Sequence, residues 1–433
     1  MHCHSDLRPP DSYCDRGLPV AKIRPYSLVM MKNDPRYSGT QAQRHCCGFP
    51  YSLSHLLVLG ILLSGIGLTG IAQDLIDTVT LVPSKYRHKL VQQLSLAEES
   101  QAELLKAIEE ADPKHREALA FLIVNMPESD LKSLKKDYLL KNVRFAFQAR
   151  EATAWGKQIS EELFMNYVLP YANVNERRDD WRQDFYARFM PLVEGTASPG
   201  EAAQRLNKEA FKQLNVRYHA RKRPKPDQSP YESTEAGFAS CTGLSILLVD
   251  ACRAVGVPAR VVGTPGWVDN SGNHTWVEIW DRQWNFVGAC EPGALNRTWF
   301  LGNASQADDS QEKHRIYAAS WEKTGTTFPL VWKRGYREVA ADNVTSFYTN
   351  RRKVTFALAE GADAKQLSGR LEVRLNGKLV ANDDFAAPVT FDLAGNQTYQ
   401  ISIVNAKGKA LLTEEVALTD EKEQNVLLSA GKT

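Results

Sequence analysis

The stretch "SCTGLSILLVDACRAVGVPARVVG", residues 240–263, constrains the fold of this chain more than any other. Apolar residues recur at Leu244, Leu247, Leu248, Ala251 and Val255, the spacing of one buried helical face, and Gly256 and Pro258 stop the helix. A β-branched run follows at once. The next segment, "HTWVEIW", alternates, with His274, Trp276, Glu278 and Trp280 on one face and Thr275, Val277 and Ile279 on the other. "WNFVGAC" comes after a short turn, so the two form a hairpin. The pattern predicts an α+β core in which one helix lies on an antiparallel sheet. Cys241 stands in the first turn of that helix, where unpaired N–H groups and the helix dipole favour a thiolate. The plainer alternative is a small buried hydrophobe.

Around this core the chain divides by pattern. Residues 73–215 read as a helical region: "SLAEESQAELLKAIEEAD", "PKHREALAFLIVNM", "SDLKSLKKDYLLKNVRFAFQAREATAW" and "SPGEAAQRLNKEAFKQLN" each carry helical periodicity or start signals. Trp155, Tyr167, Tyr171 and Trp181 are expected in its core rather than along a groove. The core itself is placed at 216–345. From 350 to 433 short strands alternate with Gly-containing turns, among them the Asn376-Gly377 hairpin signal, and predict a small β-sandwich with a stability or docking role.

Residues 1–72 read as a presequence. Leu56–Ala72 is an uncharged apolar run of 17 residues, short for a membrane span, with Gly70 and Ala72 at the spacing a signal peptidase reads. The expected mature start is Gln73 and the expected location is periplasmic or extracellular, with no stable span after processing; a retained anchor is the alternative. Met30 or Met31 is a candidate for the true start. Four of the seven cysteines (Cys3, Cys14, Cys46, Cys47) fall in this segment, leaving Cys241, Cys252 and Cys290. Three thiols in an oxidising compartment fit one working cysteine, with or without a disulfide between the other two. Cys252 shares the buried helical face and reads as a structural thiol. With no CxxC spacing, no zinc site is expected.

The 433 residues carry a formal charge of +2, and beyond residue 72 the balance is 46 basic to 47 acidic, so no basic stripe argues for nucleic acid. The cluster Arg217, Arg221, Lys222, Arg223 and Lys225 in "RYHARKRPKPDQSP" reads as a solvated Pro-rich loop rather than a binding patch.

A nucleophilic cysteine needs a base within reach and a group that orients that base. The order Cys-helix, strand, His-strand, acid-strand, carried by "SCTGLSILLVDACRAVGVPARVVG", "GNHTWVEIW" and "WNFVGACEPG", resembles the core of the transglutaminase-like superfamily of papain-like thiol enzymes over roughly residues 234–300. The resemblance implies Cys241 as nucleophile, His274 as general base and then acid, and Glu291, standing where the family usually has Asp before Pro, as the orienting acid. It implies a helix N-terminal N–H as one oxyanion donor; the family's Trp or Gln second donor is not placed. The function expected is an exported thiol enzyme that cleaves an amide bond of a protein, peptide or cell-envelope polymer through a thioester, hydrolysis favoured, without metal or cofactor. A protein-glutamine transglutaminase and a catalytically idle cell-surface scaffold are the alternatives.

Three acids compete to orient His274. Glu278 lies four residues along its strand, ~13 Å away, and Asp281 seven, ~23 Å, at ~3.3 Å per residue. Glu291 is brought back by the hairpin: a two-residue turn at Arg282-Gln283, with Asp281 opposite Trp284, sets His274 facing Glu291. This even register is the one expected. An odd turn sets Cys290 there instead, since a one-residue slip inverts every side chain. Trp276 and Trp280 form either a substrate wall or packing under the hairpin.

Overall fold

The structure, a computed structural model, describes residues 68–362 and 365–429, with side chains from Gln73 onward. The presequence expected over 1–72 lies outside these residues except for the backbone of its last five, which enters a helix, Leu68–Thr80, that continues past Gln73. Among the described residues no helix is long and apolar enough to cross a membrane. The chain divides into two units, Met1–Ile76 and Asp77–Thr433, and the core and candidate site lie within the second.

Every regular element from Ser84 to Gln213 is helical. Trp155, Tyr167, Tyr171 and Trp181 are all buried, as core residues. Two helices complete the central layer: α1 (Arg182–Val193) and α2 (Pro199–Gln213). Ser198 caps α2 through its hydroxyl, which accepts the Glu201 N–H, and Pro199 occupies the first helical position. The chain then forms β1 (Arg217–Tyr218), α3 (Pro230–Ala236), β2 (Phe238–Ala239) and α4 (Cys241–Ala254). Beyond Cys241 every residue of α4 is buried, Asp250 and Arg253 included. Ala202, Leu206 and Ala210 of α2 and Phe185 and Phe189 of α1 share one core with it.

Two buried guanidinium groups tie the helical region to this core. Arg182 donates to the carbonyls of Val168, Leu169 and Pro170, and Arg253, at the end of α4, to those of Tyr167, Pro170 and Ala172. A planar fork of five donors suits several carbonyls converging from one loop.

Under α4 run β3 (Ala259–Thr264), β4 (His274–Asp281), β5 (Gln283–Val287), β6 (Tyr317–Ser320) and β7 (Ala340–Asn343). Val277 and Ile279 point to the helix, while Trp276 joins Trp267, Phe286, Phe300 and Tyr348 in a second cluster. The alternation in "HTWVEIW" thus divides two cores.

The C-terminal region adds β8 (Arg351–Leu358), β9 (Gly369–Leu375), β10 (Lys378–Phe385), β11 (Val389–Ala394), β12 (Thr398–Val404), β13 (Ala410–Ala417) and β14 (Glu423–Leu428). Asn376 and Gly377, at φ 52° and 80°, make the β9–β10 turn, the left-handed pair that an Asn-Gly hairpin requires. A three-stranded sheet, β11-β8-β14, packs on β9, β10, β12 and β13 over Phe356, Phe391, Val373, Ile401 and Ile403. This is a sandwich, but it is not separate. Ala381 of β10 pairs with Gln283 of β5, so one sheet of nine strands runs in the order β13-β12-β9-β10-β5-β4-β3-β6-β7.

That junction decides the hairpin register. Asp281 pairs with Gln283 and Trp280 with Trp284, leaving Arg282 alone in the turn at φ 64°. The expected two-residue turn is therefore incorrect: the register is odd. The sandwich is the physical reason. The Arg282 carbonyl accepts the Asn382 N–H at 2.7 Å, the Arg282 guanidinium pairs with Asp383, and Gln283 Oε1 accepts the Asp392 N–H at 2.9 Å. These bonds to the sandwich hold a non-glycine residue in a left-handed conformation that costs about 1 kcal/mol on its own.

Candidate active site

The position of Cys241, the candidate nucleophile, is built from the helix start backward. Ser240 is the N-cap of α4, and its hydroxyl oxygen accepts the N–H groups of Thr242 and Gly243 at 3.1 and 3.2 Å while donating to the Pro226 carbonyl at 2.7 Å. That cap leaves the first N–H of the helix, that of Cys241, pointing out of it, as an oxyanion donor requires. Gly243 is pressed in place: a β-carbon there meets Ala239 Cβ at 3.0 Å and Gln228 Cβ at 3.4 Å. Thr242 Oγ1 meets Thr275 Oγ1 at 3.1 Å, which pins the head of α4 to the second residue of β4.

His274, the first residue of β4, directly precedes Thr275. Four aromatic side chains surround its ring: Trp299 and Phe300 at 4.9 Å between centroids, Trp276 at 5.8 Å and Trp267 at 6.1 Å. The burial lowers the imidazole pKa to about 4. Its Nε2 is buried without a hydrogen-bond partner. Half-buried Cys241 departs from the sequence expectation of a depressed thiol: burial pushes its pKa up, opposed by hydrogen bonds from the Thr275 backbone and from Thr242, and by the charge of Arg223. Around neutral pH the thiol and the imidazole are therefore both uncharged.

Glu291 does not reach His274. β5 ends at Val287, and the chain turns through Gly288–Glu291 with the Glu291 N–H on the Gly288 carbonyl and Cys290 at φ 63°. The carboxylate folds back over Gly288, where a β-carbon would lie 2.1 Å from Oε2, and Oε1 accepts the Trp299 indole N–H at 3.0 Å. The expected His274–Glu291 hydrogen bond is thus corrected to an indirect link, with Trp299 bonded to Glu291 and its ring against His274. Burial raises the Glu291 pKa, and the Trp299 indole opposes this.

The other two acids are committed elsewhere. Glu278 is buried, bound by Arg260 at 2.7 Å and by the Tyr348 hydroxyl at 2.6 Å. Asp281 accepts from the Ser198 hydroxyl and the Gly200 N–H at the head of α2. Trp276 and Trp280 are buried, so both are packing. Cys252 and Cys290 are both free thiols, the first fully buried. Burial and the neighbouring Glu291 raise the Cys290 pKa to about 11, against a hydrogen bond from the Tyr218 backbone.

Three residues of the site were not found from the sequence. Asn207, buried in α2, donates to the Gly288 and Glu291 carbonyls at 2.9 and 3.1 Å and accepts the Cys290 N–H at 2.8 Å. Its only signal was a polar residue on an apolar face, at Ala203, Asn207 and Ala210. Trp299 and Tyr218, 61% and 56% exposed, border the site; Tyr218 lies within electrostatic reach of both Cys241 and Glu291. Among the described residues no group of His, Cys, Asp and Glu is placed to hold a metal ion.

A cysteine on the first turn of a buried helix, with a histidine at the start of the adjoining strand, is the arrangement that the resemblance implies. Residues 188–289 match the model of the transglutaminase-like superfamily, so this chain carries a transglutaminase-like core. The match begins inside α1, upstream of residue 216, and ends before Glu291. It takes in Cys241 and His274 and supports a cysteine-dependent enzyme. A solved structure described as "a Putative Cysteine Protease from Cytophaga hutchinsonii" is similar at 17% identity, over 26% of this chain and 38% of that one, with a TM-score of 0.22. The chain therefore spans well under half the length of that protein. No curated protein matches.

Proposed function

We propose that the protein is an exported thiol hydrolase that cleaves an amide bond of a peptide or protein, or of a cell-envelope polymer, through a thioester on Cys241. The observation that carries this reading is the Thr242–Thr275 contact at 3.1 Å, which joins the residue after Cys241 on α4 to the residue after His274 on β4, with the buried imidazole Nε2 lacking a hydrogen-bond partner. The Cys241 sulfur attacks the carbonyl carbon as its proton passes to the His274 imidazole, and the oxyanion takes the Cys241 N–H. The C–N bond breaks as His274 returns that proton to the leaving amine. Water then gives a proton to His274 and attacks the thioester, and the sulfur leaves with that proton. Glu291 acts as a positioning residue, fixing Trp299 against the imidazole. Water is the favoured acceptor because the residues bordering the site, Tyr218 and Trp299, are open to solvent.

The test is incubation with a peptide library and a labelled primary amine, read by mass spectrometry, for the native protein and Cys241→Ala. Cleavage without amine incorporation, lost in Cys241→Ala, is expected. Amine incorporation makes the protein a transglutaminase, and no Cys241-dependent product makes it a scaffold. Export rests on the apolar run Leu56–Ala72; N-terminal sequencing of exported protein is expected to begin within a few residues of Gln73, and an intact Leu56–Ala72 overturns it.

A further inference from the structure

Among the described residues no carboxylate bonds to His274, whose Nε2 is buried without a partner, so its plane is set by ring contacts. Of the four rings around it, that of Trp276 lies nearest to parallel, with planes 25° apart and centroids at 5.8 Å. Trp276 is two residues along the same face of β4, and Glu278 is two further. A series of buried hydrogen bonds fixes that indole. Its N–H donates to the Tyr348 hydroxyl at 2.8 Å, the hydroxyl donates to Glu278 Oε1 at 2.6 Å, and Glu278 Oε2 accepts from Arg260 Nε at 2.7 Å. All four side chains are buried. The carboxylate only accepts, so the hydroxyl proton is committed to it and the hydroxyl oxygen is left to the indole.

Tyr348 itself comes from a distant segment. It stands on a short helix, Thr345–Thr349, ahead of β8 and beyond residues 188–289. The Val344 N–H on the Ile316 carbonyl and the Ile316 N–H on Thr345 Oγ1, both at 2.9 Å, tie that helix to the start of β6. Its ring meets Trp276 edge-on at 5.5 Å and Phe286 at 5.2 Å. We propose that Tyr348 is a positioning residue for His274: its hydroxyl, oriented by Glu278, anchors the Trp276 indole, and the indole sets the plane of the imidazole. This rests on His274 serving Cys241 in the hydrolysis proposed above. A displacement of about 1 Å at such a group costs up to about a hundredfold in rate.

The test follows the His274 ring by NMR of protein labelled with carbon-13 histidine, its signal assigned by its loss in His274→Gln. Tyr348→Phe keeps the ring contacts and removes the hydroxyl. It is expected to raise the His274 pKa from about 4 toward 6.5, as water reaches the loosened ring. Trp276→Phe, which keeps a ring and removes the N–H, is expected to do the same. Glu278→Gln still offers the Tyr348 hydroxyl a hydrogen-bond partner, so it is expected to leave the titration near 4 although it lowers stability. The control is Tyr399→Phe, which removes a buried hydroxyl bonded to the Ala394 N–H and carbonyl in the sandwich, and is expected to change nothing at His274. Cys241-dependent cleavage by Tyr348→Phe is expected to fall about tenfold in kcat with KM unchanged. A titration that stays near 4 in Tyr348→Phe, or in Trp276→Phe should the first variant not fold, overturns the inference, as does an equal rise in Tyr399→Phe. Absence of Cys241-dependent cleavage by the native protein overturns the hydrolase reading instead and leaves the titration to judge the positioning.

Discussion

Asn207→Ala tests whether the turn beside the candidate site is held by one buried amide. The side chain makes three hydrogen bonds to Gly288–Glu291, and it is 2% exposed. The Gly288 carbonyl keeps a second partner, the Glu291 N–H at 3.3 Å. The Cys290 N–H and the Glu291 carbonyl lose the bond Asn207 gave them, at about 1–3 kcal/mol for each buried group left unpaired. Cys290 also sits at φ 63°, a conformation that the Asn207 amide helps to enforce. The expected cost is about 2–4 kcal/mol, toward the lower end if water enters the vacated space. Urea unfolding followed by tryptophan fluorescence measures it, and labelling of Cys290 by a neutral thiol reagent reports the turn directly. Faster Cys290 labelling and a lower midpoint are expected together. A change below about 0.5 kcal/mol with unchanged labelling refutes the assignment of this turn to Asn207, because ordinary surface changes fall in that range.

Burial holds the His274 pKa at about 4, below its usual 6.5, so the folded state binds fewer protons than the unfolded one. The stability this contributes is intact above about pH 6.5 and is lost as pH falls toward 4; His274→Gln is expected to lessen the acid sensitivity in that window, measured by urea midpoints across pH. Because burial raises the Cys241 pKa, its iodoacetamide rate is expected to keep rising above the ~8.5 of a free thiol; a plateau near pH 6 contradicts this placement. Glu278→Gln leaves the buried Arg260 guanidinium with Asp342, at 3.8 Å, as its remaining charge partner and is expected to cost about 2–4 kcal/mol in unfolding, a structural loss that marks Glu278 as part of the fold. Gly263→Ala places a β-carbon 2.9 Å from the His274 carbonyl and 3.2 Å from Phe328, so about 1–3 kcal/mol and slower Cys241-dependent turnover are expected, and unchanged values of both exclude that clash.

What the sequence determined about this protein was local. The apolar spacing from Leu244 to Val255, with Gly256 and Pro258 behind it, dictates a buried helix, and the period of two in "HTWVEIW" dictates which side chains face it. Those patterns place Cys241 at the helix head and His274 at a strand start, since neither position depends on distant residues. Glu291 was different, because its placement rested on one turn. That turn is set by Asn382, Asp383 and Asp392, about 100 residues later in the chain, and the bonds they make override the two-residue loop that local geometry favours. The protonation states had the same origin. A helix start favours a thiolate, but burial of Cys241 outweighs it, and the four aromatic rings around His274 come from segments that no local spacing relates. Local periodicity determined the elements and their faces; the sheet register, the partner of Glu291 and the charge on the candidate catalytic pair were decided only when the sandwich, the aromatic cluster and Asn207 closed on them.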